Sequence, residues 1–243
     1  MPWTKVCLHI THITSDEHYK TIPNSRPGHK VTILVRKADK IDPHDRLTII
    51  EGSPLSEEDM KRAFNTGTPI DAVLVFLNAP RIGQNPWGKF LGPPRLIADS
   101  TRNATRALRA QYREQVVDDA GSGGEAKKPR LIVMNALGVG KSWVVTPYIV
   151  RFMITFSNVS ESYKDHNAVN EEIESECGDE VLWTLPLPVG LGGGGRKEVK
   201  TFGYEENGAS LWISRESCAR WMVDVALGRE GGRFDNRRVI VSN

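Results

Sequence analysis

Cysteine, charge of one sign and long apolar runs are all scarce in this 243-residue chain, and each scarcity excludes a class of protein. Three cysteines, Cys7, Cys177 and Cys218, show no close or repeated spacing, so the chain encodes neither a disulfide framework nor a zinc cluster. That usage fits a reducing compartment, and the expected location is the cytoplasm. Lys+Arg 32 against Asp+Glu 30 leaves a net charge of +2, which argues against direct nucleic-acid binding and against an acidic membrane surface. The most apolar stretch, Trp143 to Phe156, contains Pro147 and Arg151 and is too short to span a bilayer. The opening residues lack a cationic start followed by an apolar run, so no signal peptide is expected. His9, His12 and His18 with Asp16 share no strand or helix spacing, and no metal site is expected.

What is present is ordinary globular usage, 39% hydrophobic and 26% charged, and a single domain over residues 1–243 is expected. Val31–Val35, Leu47–Ile50, Ala72–Leu77, Leu131–Met134 and Val181–Leu185 are β-branched and apolar throughout, as strands covered on both faces must be. Val6 to Ile10 reads as a first strand of the same kind. Helices are expected after Ser56, from Leu96 to Tyr112, from Ser160 to Cys177, and after Ser214. In the last, Cys218, Trp221, Met222 and Val225 form one apolar stripe. Strand and helix in alternation imply an α/β fold: a Rossmann-like, doubly wound parallel sheet with helices on both faces. A small substrate-pocket lobe is expected from about residue 186 to 213, and Trp143 to Phe156 reads either as a lid over that pocket or as a buried loop-helix.

Two glycine-rich strings do not carry the chemistry they mimic. Gly190-x-Gly192-x-x-Gly195 matches a dinucleotide fingerprint, but Arg196-Lys-Glu-Val-Lys-Thr-Phe202 after it is a poor helix opening, so a flexible turn is expected. Gly138-Val-Gly140-Lys141-Ser142 resembles the end of a phosphate-binding loop, but the glycine needed five residues before Gly140 is Asn135.

From Gly28 onward the order of segments resembles the atypical short-chain dehydrogenases of the NAD(P)-binding, NmrA-like type, a group that includes flavin reductase/biliverdin-IXβ reductase. The pieces are Gly28-His-Lys-Val-Thr-Ile-Leu-Val-Arg-Lys37, Leu47-Thr-Ile-Ile-Glu-Gly52, Asp71-Ala-Val-Leu-Val-Phe76, Ser100 to Leu108, Arg130 to Gly138, Asp165-His-Asn-Ala-Val169 and Ile213-Ser-Arg-Glu-Ser217. The resemblance implies NADP(H) across the carboxyl ends of the strands. It puts Arg36 and Lys37 against the 2′-phosphate, which guanidinium binds bidentately. It puts Gly52 and Ser53 beside the adenine, Leu77, Asn78 and Ala79 along the cofactor, and Leu185, Pro186 and Leu187 at the nicotinamide. Asn135 stands where many relatives have Ser or Thr, and Tyr163 and His166 are the possible proton donors.

The chain also departs from the family. Relatives carry a Gly-x-x-Gly-x-x-Gly string after the first strand, whereas His9-Ile-Thr-His-Ile-Thr-Ser-Asp16 has no glycine, and Thr21 to Pro27 holds two prolines. Each lost charge-assisted bond is worth roughly 1.5–3 kcal/mol. Losing two or three weakens cofactor binding by something on the order of a hundredfold to ten-thousandfold. Either affinity is poor, or Thr11, Thr14 and Ser15 side chains rebuild the loop, or the first residues belong to a different start. The Tyr-x-x-x-Lys pair becomes Tyr163-Lys-Asp-His-Asn167. The expectation is an NADPH-dependent oxidoreductase passing hydride to a small carbonyl, unsaturated or flavin-like molecule. The alternatives are a non-catalytic NAD(P)-sensing regulator and a degenerate scaffold without cofactor.

Overall fold

The structure, a computed structural model, describes residues 29–39, 41–65, 67–78, 82, 85–120, 126–206 and 208–243, together with the backbone course of 4–10. Its centre is an eight-stranded sheet. The strands are β1 (Thr4–Ile10), β2 (His29–Val35), β3 (Leu47–Glu51), β4 (Ala72–Phe76), β5 (Arg130–Val133), β6 (Leu182–Pro188), β8 (Lys200–Phe202) and β10 (Arg237–Ser242), in the order β3-β2-β1-β4-β5-β6-β10-β8. All pairs are parallel except β10 with β8. The first six follow the dinucleotide-binding order, with its reversal between β1 and β4, so the expected Rossmann-like sheet is observed. β10 and the short strands escaped the sequence reading, although Val239-Ile-Val241 has the same β-branched composition as the strands that were expected.

Alternation along β4 shows how the sheet divides the core. Ala72 and Leu74 face α5 (Arg215–Ala226), through Cys218, Met222 and Val225. Val73 and Val75 face the other layer, made by α1 (Glu57–Phe64), α2 (Leu96–Ala120) and α4 (Val159–Glu176), through Met60, Leu108, Val169 and Ile173. Both faces are therefore covered, as an apolar parallel sheet requires.

Ser56 caps α1 by accepting from Asp59 N at 3.2 Å, and Ser214 caps α5 by accepting from Ser217 N at 3.1 Å. Helix α2 borrows its cap from a neighbour. The buried Asp165 of α4 accepts from Ile97 N at 2.8 Å and Ala98 N at 2.9 Å, so the open N–H groups of α2 meet a carboxylate across the layer. Helix α2 also runs eight residues beyond the expected Tyr112, because residues 113–120 contain no proline or glycine.

The segment expected to form the small substrate-pocket lobe, about residues 186–213, is strand-paired at both ends. β7 (Leu191–Gly192) pairs with β9 (Ile213–Ser214), and β8 pairs with β10 of the main sheet. The expected flexible turn at Gly190 thus opens with a paired strand.

Candidate active site

The cleft begins with two prolines. Pro186 and Pro188 lie in β6 beside β5 and have no N–H to give it, and the β5–β6 pairing ends at Ile132 with Thr184. Their carbonyls instead accept from Asn135 N and Leu137 N, both at 3.0 Å, in the turn that leaves β5. Past that point the strands separate, and a cavity of about 490 Å3 opens at the carboxyl ends of β4, β5 and β6. Phe76, Leu77 and Asn78 follow β4, Asn135 follows β5, and Pro188 and Val189 end β6. The far wall comes from α3 (Tyr148–Phe156) and α4, through Val150, Met153, Tyr163 and His166. Leu211, Trp212 and Arg215 complete it. A larger groove of about 590 Å3 between α1 and α2 touches none of the residues expected to act.

The three expected reaction residues, Asn135, Tyr163 and His166, meet in this cleft. Each is held by the fold. Asn135, 2% exposed, donates from Nδ2 to His166 O at 3.3 Å and accepts at Oδ1 from Ala136 N at 2.9 Å, joining the end of β5 to α4. Tyr163 donates its hydroxyl to Leu137 O at 3.0 Å, and burial pushes its pKa up to about 12. Gly138 makes that contact possible. It sits at φ +104°, and a Cβ there would come within 3.1 Å of the Tyr163 ring and 2.8 Å of Ile154.

The position four residues after Tyr163 is Asn167, which donates to Tyr163 O and accepts from Gly140 N, both at 2.9 Å. It acts as a clip between α4 and the turn before the 3₁₀ segment Gly140–Val145, and supplies no cation to lower the tyrosine pKa. The rings of His166 and Tyr163 meet in a T-shaped arrangement, with centroids 6.1 Å apart. Its Nδ1 is buried without a partner, and burial lowers its pKa to about 4. At neutral pH both groups are uncharged.

The cofactor-side residues divide. Arg36 and Lys37 stand exposed just past β2, where the turn is pinned by Ala38 N donating to Glu51 Oε1 at 2.6 Å. Gly52 N donates to Val35 O at 2.9 Å, and a Cβ on Gly52 would meet the Asp59 carboxylate at 2.6 Å, so glycine is needed for close packing. Ser53 N donates to Asp59 Oδ2 at 2.8 Å; that bond, with Arg62, holds the Asp59 carboxyl below the usual carboxylate range. Leu77 and Asn78 line the cleft, and Ala79 lies outside the described residues.

The expectation for β6 needs correction by a short shift along the strand. Leu185 and Leu187 are fully buried in the core and Pro186 is buried within the strand, while the cleft wall is built by Pro188, Val189 and Gly190. The stretch after β1 where relatives carry the glycine string, with Thr11, His12, Thr14, Ser15, Asp16 and His18, also lies outside the described residues. Among the described residues no cluster of His, Cys, Asp or Glu could hold a metal, and no helix is long and apolar enough to cross a membrane.

Trp212 and Arg215 were missed as cleft residues. The available signal was Ser214: a cap at that position puts the next residue in the first turn of a helix that starts at the carboxyl edge. Helix α3 is neither wholly lid nor buried. Val150, Met153 and Ile154 wall the cleft, while Tyr148, Ile149, Phe152 and Phe156 face outward.

This geometry agrees with the sequence comparison. A family model described as NAD(P)H-binding matches residues 20–227, most of the chain, and the chain belongs to that family. Solved structures similar in fold include a short-chain dehydrogenase/reductase from Veillonella parvula in complex with NADP, at TM-score 0.69 and 12% identity, covering 99% of this chain and 95% of that one. ChuY, an anaerobillin reductase from Escherichia coli, is similar at TM-score 0.66 and 11% identity, covering 98% and 97%. A Rossmann-fold NAD(P)-binding protein from Shigella flexneri is similar at TM-score 0.63 and 15% identity, covering 99% and 93%. At these identities the likeness is one of fold. No curated protein matches the chain by sequence.

Proposed function

We propose that the chain is an NADPH-dependent oxidoreductase that passes hydride to a small carbonyl, unsaturated or flavin-like acceptor in the cleft at the ends of β4, β5 and β6. The observation that carries this reading is the cleft itself. It lies at the carboxyl edge, beside the reversal in strand order, in a chain of the NAD(P)H-binding family.

The residues present fit a dinucleotide. The cleft lining suits a neutral ring, and the orphaned Nδ1 of His166 on its wall leaves one hydrogen-bonding position for a carboxamide. Arg36 and Lys37 would hold a 2′-phosphate, with Asn78 and Asn135 along the ribose and ring. When bound, the reduced nicotinamide supplies a hydride.

The chain's own part is then positioning and exclusion of water. Asn135 fixes the end of β5 against α4, and the apolar walls from Met134, Val150 and Ile154 keep solvent from the reacting atoms. Proton delivery is not built into the side chains. Tyr163 is committed to Leu137 O and lacks a neighbouring cation, and His166 is neutral at physiological pH. An acceptor that takes hydride first and a solvent proton afterwards suits such a site.

The same committed tyrosine favours a second reading, a dinucleotide sensor without turnover. Titration with NADPH followed by its oxidation in the presence of flavins and quinones separates the two. Binding with turnover supports the reductase, binding without turnover supports the sensor, and no binding removes both.

A further inference from the structure

We propose that Trp212 and Arg215 form the acceptor-recognition pair of the cleft and that the acceptor carries, beside the carbonyl or double bond that takes the hydride, an aromatic ring and a carboxylate. This rests on the reductase reading and names the substrate class for the same site.

Trp212 is laid flat by glycine. A Cβ on Gly192 would fall 1.6 Å from its ring and one on Gly190 2.7 Å away, so the indole rests on the bare backbone at β7. The backbone beneath it is fastened as well: Ile213 N donates to Gly190 O at 2.9 Å and Ser210 Oγ to Trp212 O at 2.7 Å. The ring is thus fixed without being buried. It remains 53% exposed on the cleft wall, alongside Leu211, with Val150 and Met153 also lining the cavity. A fixed, half-exposed indole is a platform for a planar ring, and a methionine sulfur is a favourable neighbour for one.

Three residues on, Arg215 opens α5 and is the only side chain with a formal charge among the described residues that line the cleft. No described carboxylate or carbonyl holds it. It therefore differs from Arg151, the cation of α3, which donates Nε to Thr146 O at 2.8 Å and a terminal nitrogen to Val144 O at 2.7 Å, turned away from the cleft. The amino end of α5 adds to the positive potential around Arg215. With no carboxylate in the described lining, a cationic acceptor finds no counter-charge, whereas an anionic one finds a guanidinium whose fork matches a carboxylate. Ring on indole and carboxylate on guanidinium together set the orientation of the acceptor.

Isothermal titration of the native chain with biphenyl-4-carboxylate and with the neutral biphenyl-4-carboxamide tests the pair. The carboxylate is expected to bind about tenfold tighter or better. Arg215→Gln should abolish that preference while leaving carboxamide affinity within about twofold, and Arg215→Lys should keep part of it. Trp212→Ala should weaken both probes, with Trp212→Phe retaining most of the binding and serving as the control for folding. NADPH affinity should be unchanged in Arg215→Gln. Equal affinity of the native chain for the two probes overturns the proposal, as does a preference that survives Arg215→Gln or failure of both probes to bind. A parallel fall in NADPH affinity overturns it too, by making Arg215 a cofactor ligand. A chain that keeps the probe preference but binds no NADPH removes the reductase reading and leaves the pair standing.

Discussion

Along the seam between α2 and α4, Arg95, Arg102, Arg106, Arg109 and Arg113 all meet Glu172, Glu176 or Glu180, whereas in the cleft Arg215 meets no partner among the described residues. The seam sets the arginines of α2 at helical spacing against Glu172 and Glu176 of α4 and Glu180 in the turn just past it, so each of these charges is answered inside the fold. Such partly exposed pairs are individually weak, about 0.2–1 kcal/mol each, and they act as register marks between two long helices. The cleft wall leaves a cation unanswered at Arg215 and an indole half exposed at Trp212, while Tyr148, Phe152 and Phe156 face outward from α3. Folding gains nothing from that exposure, and a half-exposed ring beside an unanswered cation in a cleft suits a binding surface. The comparison separates charges that hold the molecule together from a charge held ready for something else.

The largest expected effect lies on the seam. Asp165→Ala removes the carboxylate that caps α2 and strands the N–H groups of Ile97 and Ala98 in a buried position, so stability should fall by about 3 kcal/mol in urea unfolding. A loss below about 1 kcal/mol would show that α2 is capped by other means. Next comes the cofactor side. Arg36→Ala with Lys37→Ala should weaken NADPH by about tenfold or more while barely moving NADH, read by fluorescence titration. Equal losses for the two cofactors would refute the phosphate assignment.

Smaller still is the cost of Glu180→Gln, about 0.5–1 kcal/mol at neutral pH. Arg113 first, and then Arg109, hold the Glu180 carboxyl at about 2. A carboxyl more acidic in the folded state contributes stability above its ordinary pKa and loses it as the pH falls. The native chain should therefore lose this increment between about pH 4.5 and 2, and Glu180→Gln should flatten the curve there. The smallest effect is expected in the cleft: Tyr163→Phe should leave NADPH oxidation within about threefold of native. With Tyr163 near 12 and His166 near 4, the rate should be flat across neutral pH. A bell centred near neutrality would mean that one of these side chains transfers a proton.

Much of the fold was legible because buried parallel strands announce themselves by composition. The runs at Val31, Ala72 and Leu131 became central strands and the run at Leu47 an edge strand of the same sheet, and Ser56 and Ser214 capped the helices they precede. The edges were harder to read. β7 and β9 have two residues each and are defined by their pairing, a long-range property that no local pattern encodes. The same holds for Asp165, whose capping role depends on a partner 67 and 68 residues away. Within the site, Asn135, Tyr163 and His166 could be named through the family resemblance, Asn135 at the Ser/Thr position and Tyr163 and His166 in the string that stands for Tyr-x-x-x-Lys. The wall of β6 was misjudged because the strand runs on through Pro186 to Pro188, prolines that usually end one. Trp212 stayed hidden because the glycines beneath it read as a flexible turn, and only the tertiary structure shows that they carry a ring.

Energy transfer from tryptophan to bound NADPH tests the central claim most directly, since Trp212 lies in the cleft wall. The account predicts saturable transfer from the native chain well below about 1 mM NADPH, weakened by Arg36→Ala with Lys37→Ala. Transfer that rises linearly to that concentration without saturating would contradict it.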